Sequence, residues 1–599
     1  MRLRALGLMA VMAAWCFTAS VLGQTAASTE QEPATVLKVN ARTVLVDVVV
    51  TRANGEAVTS LRKENFSVME DGKEQLIDYF EEHTAKTLPP GALPPLPKLP
   101  PDVYTNVPQV PENDSVNILL LDSLNTPVED QRNVHKQIMD YLKTMEPGTR
   151  AAIFLLGSKL RYVQGFTTDA SLLSAVLNDK KNGPEKESLL RTRSENAEIE
   201  GHLITMTSIN GRPTGATAAV LDANRESAQY EVSQRVVMTL EALNYLARYL
   251  GGVPGRKNLI WFASSFPVTV FPDRGQIVTL NKQHVQTGEI KKTADLLTAS
   301  KIAVYPVNAQ GIMNDHWLEG GGGGGSGRAT LNSIAGVGGD NDERAMQTMA
   351  MEQLASDTGG KAFINTNNLN TAIKRAIDDG AHYYTIAYTP TNNKLDGSYR
   401  RVEVKVSATG KYKTAYRRGY YADDMTMAEA GPESNPLRPL LKFGLPGATQ
   451  LIYGVRVTPA AQQPAPNAAR AGMNPALQGP VTRYAIDFMI HWTDVAFDLR
   501  PDGTHHGKIQ VGLLAYDRNG KAVNWADGTQ EMNVKPEIWA AIQKSGIPAH
   551  MEIDLPNEDI YLNTGVYDWG ANKAGTLEIP LSPSSAATAQ SASPTPGAK

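Results

Sequence analysis

The chain has 599 residues, 42% of them hydrophobic and 20% charged, enough for about three or four domains with separate cores. Its 58 basic and 62 acidic residues nearly cancel and no basic stripe occurs, which excludes a nucleic-acid binder held by phosphate contacts. Cys16 is the sole cysteine, so a disulfide scaffold, a Cys-ligated zinc site and iron–sulfur chemistry are excluded.

Arg2 and Arg4, the apolar run from Ala5 to Val21, and Val21-Leu22-Gly23 before Gln24 have the layout of a secretory signal peptide over 1–23. The expectation is an exported protein, periplasmic or extracellular. No later run of about 18 apolar residues predicts a transmembrane segment in the mature chain. Residues 24–36 read as disordered. Residues 37–84 read as a small β-domain: Val44, Val46, Val48 and Val50 alternate along one strand, and Asn54-Gly55 and Asp71-Gly72 supply turns. The proline-dense stretch at 88–111 makes 85–113 a stiff, extended linker.

From 114 to 425 the texture is βαβ. Continuous apolar runs at 116–121, 151–156, 258–263 and 302–307 read as buried parallel strands. Helical spacing follows them at 134–145, 169–179, 236–250, 289–300, 343–356 and 368–379, whereas 180–230 is polar and unpatterned, a surface excursion. The predicted fold class is α/β: a doubly wound, mainly parallel sheet with antiparallel edge strands near 382–389, 399–407 and 411–418. Residues 436–582 read as a C-terminal β-sandwich, and 583–599 as a disordered tail.

Several ordered motifs carry a resemblance. LLLDSLNT at 119–126, GRKNLIWFASSFP at 255–267, IAVYPVNAQG at 302–311, LASDTGGKAF at 354–363 and YTIAYTPTNNKLDGSYRRVEVKV at 384–406 resemble the bacterial von Willebrand factor A-related family. VTRANGEAVTSLRKENFSVMEDGKEQLIDYF at 50–80 is similar to the β-module that commonly precedes it. The resemblance implies a Rossmann-like von Willebrand A-type domain, which binds protein or matrix ligands rather than catalysing, and a metal-ion-dependent adhesion site at the carboxyl end of its strands. That site takes an Asp-x-Ser-x-Ser motif, a Thr from a second loop and an Asp from a third.

Residue by residue, the match is degenerate. Asp122 and Thr126 fit the first motif, but Leu124 stands where a coordinating Ser belongs, and Ser264 and Ser265 stand where the third-loop Asp belongs. Thr217 and Thr239 are both candidates for the second-loop Thr. Hard cations such as Mg²⁺ want oxygen ligands with one or two carboxylates. Asp122 and Thr126 would therefore hold Mg²⁺ or another divalent cation weakly. In the alternative, Asp122 accepts hydrogen bonds from loop amides and Thr126 caps the helix starting near Pro127-Val128. Asp122, Ser123, Asn125, Thr126, Ser264 and Ser265 are the candidate ligand-binding residues.

No other constellation carries chemistry. The glycine run Gly320 to Gly325 lacks a following Lys-Ser/Thr and reads as a loop, and His505-His506 point to opposite faces of a strand. Tyr383, Tyr384, Tyr388, Tyr399, Tyr412, Tyr416, Tyr420 and Tyr421 form either cross-strand packing or an exposed aromatic face. With no nucleophile–base set or metal triad, the sequence predicts a non-catalytic, adhesion-type protein binding a protein or carbohydrate ligand. The alternatives are an exported hydrolase with an unrecognised site and an architectural factor in envelope assembly.

Overall fold

The computed structural model describes residues 43–84, 99–108, 115–180, 193–209, 212–253, 255–264, 293, 296–297, 299–309, 351–364, 369–394, 396, 398–407, 410–422, 435–464 and 469–582. The signal segment, the 24–36 stretch, most of the linker, Ser265, the glycine run and the 583–599 tail lie outside them.

One sheet contains parallel pairs. Its strands run in the order Ile302–Asn308, Lys257–Ala263, Val116–Asp122, Ala151–Leu156, Leu160–Thr167; the first four are parallel and the last is antiparallel. Each inner strand is a continuous apolar run because both faces are covered. On one face Ile118, Leu120, Phe154 and Trp261 pack against Leu240, Leu243 and Leu246 of the long helix Gly215–Leu250. On the other, Leu119, Ile153 and Phe262 pack against helices Val128–Leu142 and Leu369–Ala381.

Every other sheet among the described residues is antiparallel, and this corrects the expected fold class. The protein is a mostly antiparallel β-protein with one mixed sheet, not a doubly wound parallel fold with β-rich flanks. The physical reason lies in partners far apart in sequence. The strand His382–Tyr388, expected at the edge of the parallel sheet, instead lies between Val44–Arg52 and Ile77–Thr84. Likewise Tyr399–Val406 pairs with Phe66–Glu70. Residues 44–84 and 382–422 thus share one core of Val46, Val48, Val68, Tyr384, Ile386 and Val404.

The C-terminal part packs two antiparallel sheets face to face. Val481–Ile490 lies between Tyr453–Pro459 and Ile547–Pro556, and His505–Tyr516 lies between Ala522–Val534 and Ile560–Asp568. Ile486, Phe488, Val511 and Leu562 fill the space between them. Within the stretch read as a linker, Val103–Thr105 adds a strand to this module beside Tyr453–Pro459. The buried Asn106 then fastens it, donating from Nδ2 to the carbonyls of Ala448 (3.1 Å) and Leu451 (2.9 Å) and accepting the Tyr453 N–H at 3.0 Å.

The mixed sheet and the sandwich meet at the end of the long helix. Buried Arg248 donates to Gln450 Oε1 and to the carbonyl and side chain of Asn572, each at 3.0 Å. Gly252 lets the backbones touch: a Cβ there would stand 1.9 Å from the Thr449 carbonyl oxygen. Among the described residues no helix is long and apolar enough to cross a membrane.

Asn106→Ala strips the buried Tyr453 N–H of its acceptor and should cost about 1–3 kcal/mol. Urea unfolding measures the loss, and faster tryptic cleavage within 85–113 should accompany it. An unchanged urea midpoint and cleavage rate would show that the strand is not fastened there.

Candidate functional site

The register of the mixed sheet builds the site. Trp261 lies opposite Leu120, so Asp122, two residues further on, shares the face that Trp261 occupies and that the long helix covers. Asp122 is 2% exposed. Its Oδ1 accepts the Asn125 backbone N–H at 2.9 Å, and its Oδ2 accepts Asn125 Nδ2 at 2.8 Å and the Trp261 indole N–H at 2.9 Å. Burial pushes the Asp122 carboxyl up to about 6, against the lowering pull of the Asn125 and Trp261 bonds and the charge of Arg235.

Asn125 carries this network to the helix. Its Nδ2 also donates to Thr239 Oγ1 at 3.0 Å, while its buried Oδ1 has no partner among the described residues. Thr239, one of the two second-loop candidates, is therefore part of the site. Thr217 is not: its hydroxyl accepts the Thr214 N–H and donates to the Thr207 carbonyl, far along the same helix.

Thr126 and Ser264 come together from adjacent strand ends. The Ser264 N–H donates to Thr126 Oγ1 at 3.3 Å, and the Ser264 hydroxyl donates to Asp130 Oδ2 at 2.9 Å. Thr126 does not cap the following helix, whose N-cap is Pro127 without a side-chain bond. Ser123 is half-buried, with its N–H given to the Leu156 carbonyl and its own carbonyl taking a bond from Gln131 Nε2. Ser265 lies outside the described residues.

This donor set does not fit a hard divalent cation. Both Asp122 oxygens face N–H groups, the Ser264 hydroxyl is committed to Asp130, and Leu124 is 2% exposed within the apolar core. Asp122, Asn125, Thr126 and Ser264 are all buried. The arrangement latches three strand ends and the long helix together. Sequence reading missed Trp261 and Asp130. The signal for Trp261 was present, since a buried indole N–H needs an acceptor and Asp122 is the polar group at the end of the neighbouring strand.

The long helix extends well past this latch. Its apolar contacts begin at Val236; upstream, most of the described side chains of 215–231 are exposed, and the helix pairs with Arg193–Thr207 through the two-stranded ribbon Ser208–Ile209/Arg212–Pro213. At a rise of ~1.5 Å per residue, Gly215 stands ~36 Å from Thr239. The described part of the 180–230 stretch, read as unpatterned, is thus largely a helical arm. Near its tip Ile204, Met206 (82%) and Ile209 (68%) are exposed. The tyrosines, by contrast, pack inward: Tyr384, Tyr388, Tyr416 and Tyr420 are buried, and Tyr388 and Tyr420 donate to the buried Glu70 at 2.8 and 2.9 Å. His505 stacks on Trp539 at 3.9 Å.

No protein-family profile and no curated protein matches the chain. Among solved structures it is similar to an aerotolerance-related membrane protein from Bacteroides fragilis, at 12% identity and a TM-score of 0.21, over 44% of this chain and 99% of that one. It is similar to BatB from Bacteroides thetaiotaomicron at 12% identity and a TM-score of 0.21, over 45% and 99%. A minor pilin, PilB, from Streptococcus sanguinis matches at 8% identity and a TM-score of 0.20, over 44% and 60%. Likenesses at these TM-scores carry no argument about fold or function.

Asp122→Ala orphans the Trp261 and Asn125 donors and should destabilise the fold by about 3 kcal/mol at low pH. The folded carboxyl titrates near 6 and the unfolded one near 3.8, so its stabilisation is full below the lower value and is lost as pH rises through the upper. The gap between wild type and variant should therefore shrink by about 2 kcal/mol between pH 4.5 and 7.5 in urea unfolding. A gap that widens over that range would contradict the network.

Proposed function

We propose that the chain is an exported, non-catalytic binding protein that presents the tip of its helical arm to a protein partner at the cell envelope or outside the cell. The observation that carries this reading is the exposure of Ile204, Met206 and Ile209 within six residues at the end of a long, two-helix arm. Exposed apolar side chains gathered on a projecting element favour protein contact. Export is supported by the signal-peptide layout of residues 1–23. Kinship with von Willebrand factor A-related proteins is supported by the ordered motifs alone.

In this reading the Asp122 latch does not face the partner. It fixes the base of the arm, so the arm's direction is set by Thr239, Asn125 and the apolar contacts from Val236 to Leu250. The role of Asp122 is to position, not to ligate.

A photo-crosslinking side chain placed at Met206 or Ile209 of the mature protein, exposed to envelope extract of the producing cells, should yield one discrete adduct. The same group at Met473, an exposed site on the sandwich, should not. Equal labelling from all three positions, or none from the arm, would overturn the proposal.

A further inference from the structure

We propose that strand Ile77–Thr84 takes up an extended, lysine- or arginine-bearing segment of another protein as an added β-strand. Among the described residues it is the last strand of its sheet, paired with His382–Tyr388 on one side only. Every second residue of such a strand turns its N–H and C=O outward, and eight residues are enough to template a partner. The surface belongs to the N-terminal sheet rather than to the helical arm, and its partner is independent of the arm's.

The two faces of this sheet differ. Val46, Val48, Tyr384 and Ile386 turn to the core, and Phe80 packs against them. On the opposite face the register sets Leu45, Ala387 and Tyr79 in one row, and Asp47, Thr385 and Glu81 in the next. Leu45 is 40% exposed and Tyr79 is 49% exposed, on either side of the buried alanine. Apolar surface thus lies directly beside the outward backbone groups. The bulge between Ala387 and Tyr388 falls at the start of the strand, so residues 79–84 keep a regular register that a partner can extend.

Charge selects the occupant. The strand carries Asp78, Glu81 and Glu82 and neither lysine nor arginine. Two of these acids serve the fold: Asp78 accepts from Thr389 Oγ1 at 2.8 Å, and Glu82 accepts the Ser60 N–H at 2.7 Å and the Tyr384 hydroxyl at 3.3 Å. Glu81 is exposed, accepts the Tyr79 hydroxyl and lies 3.6 Å from His83 Nε2. Lys301, which lines the adjoining cleft, forms no ion pair with it. A cation on an added strand would stand opposite Glu81, with an apolar side chain two residues away opposite Tyr79. A second copy of this chain would set the acidic strand against itself, like charge facing like, which disfavours that occupant.

The test is fluorescence anisotropy of a labelled peptide, Thr-Val-Thr-Lys-Thr-Val-Thr-Lys, titrated with the mature protein. This peptide should bind saturably, and its counterpart with Glu for Lys should not. N-methylation at alternate residues should abolish binding in one phase, where it blocks the edge facing the protein, and be tolerated in the other. Tyr79→Ser should weaken the lysine peptide, and Glu81→Lys should weaken it about tenfold and gain affinity for the glutamate peptide. Both side chains are exposed, and a reversed preference cannot arise from misfolding. Glu537→Lys, at an exposed site on the sandwich helix, should leave both peptides unchanged. Absence of saturable binding, equal binding of the glutamate peptide, indifference to N-methylation in both phases, or an equal loss in Glu537→Lys would overturn the proposal.

Discussion

A carboxyl group buried at the end of a central strand needs hydrogen-bond partners, and Asp122 finds them in N–H groups. Asn125 and Trp261 supply three donors to its two oxygens, and Asn125 passes the connection on to Thr239. Donors of this kind hold an ionised acid at modest cost only when they are already in place. That requirement fixes the turn after Val116–Asp122, the rotamer of Trp261 and the height of the long helix on the sheet. The helix is fixed a second time where Arg248 and Gly252 meet the sandwich. Held at its middle and at one end, it carries the rest of its length as an arm.

The same economy of fixed points ties the modules together. Strand His382–Tyr388 closes a loop of some three hundred residues by lying between Val44–Arg52 and Ile77–Thr84, and Val103–Thr105 is stitched into the sandwich on the way to the mixed sheet. The chain visits the N-terminal sheets and the sandwich before it builds the mixed sheet, then returns to each. Non-local pairings of this sort make folding slow, because loop-closure entropy is lost before the contacts form. They also mean that the core shared by residues 44–84 and 382–422 is completed only when the chain returns to it.

What could be read from the sequence follows from what is local. The runs at 116–121, 151–156, 258–263 and 302–307 are strands within a residue or two, because a strand covered on both faces is apolar throughout. Gly55 and Gly72 take the positive φ that their turns require. Strand partners were not legible: nothing in YTIAY at 384–388 says that Val44–Arg52, rather than the mixed sheet, lies beside it, and the fold class was misjudged on that point. The arm escaped notice because a helix exposed on most sides has no apolar stripe. At the site, Asp122, Asn125, Thr126 and Ser264 were singled out and do converge. Their burial was not legible, because it depends on the helix that crosses above them.

The most direct test of the latch is the Trp261 indole N–H, observed by NMR in protein labelled with ¹⁵N-tryptophan and assigned with Trp261→Phe. The account predicts a resonance protected from solvent exchange, titrating with a midpoint near pH 6 as Asp122 does, and unmoved by millimolar Mg²⁺ or Mn²⁺ beyond what Asp122→Ala shows. A rapidly exchanging indole, or one displaced by saturating Mg²⁺ only when Asp122 is present, would contradict it and make Asp122 a metal ligand.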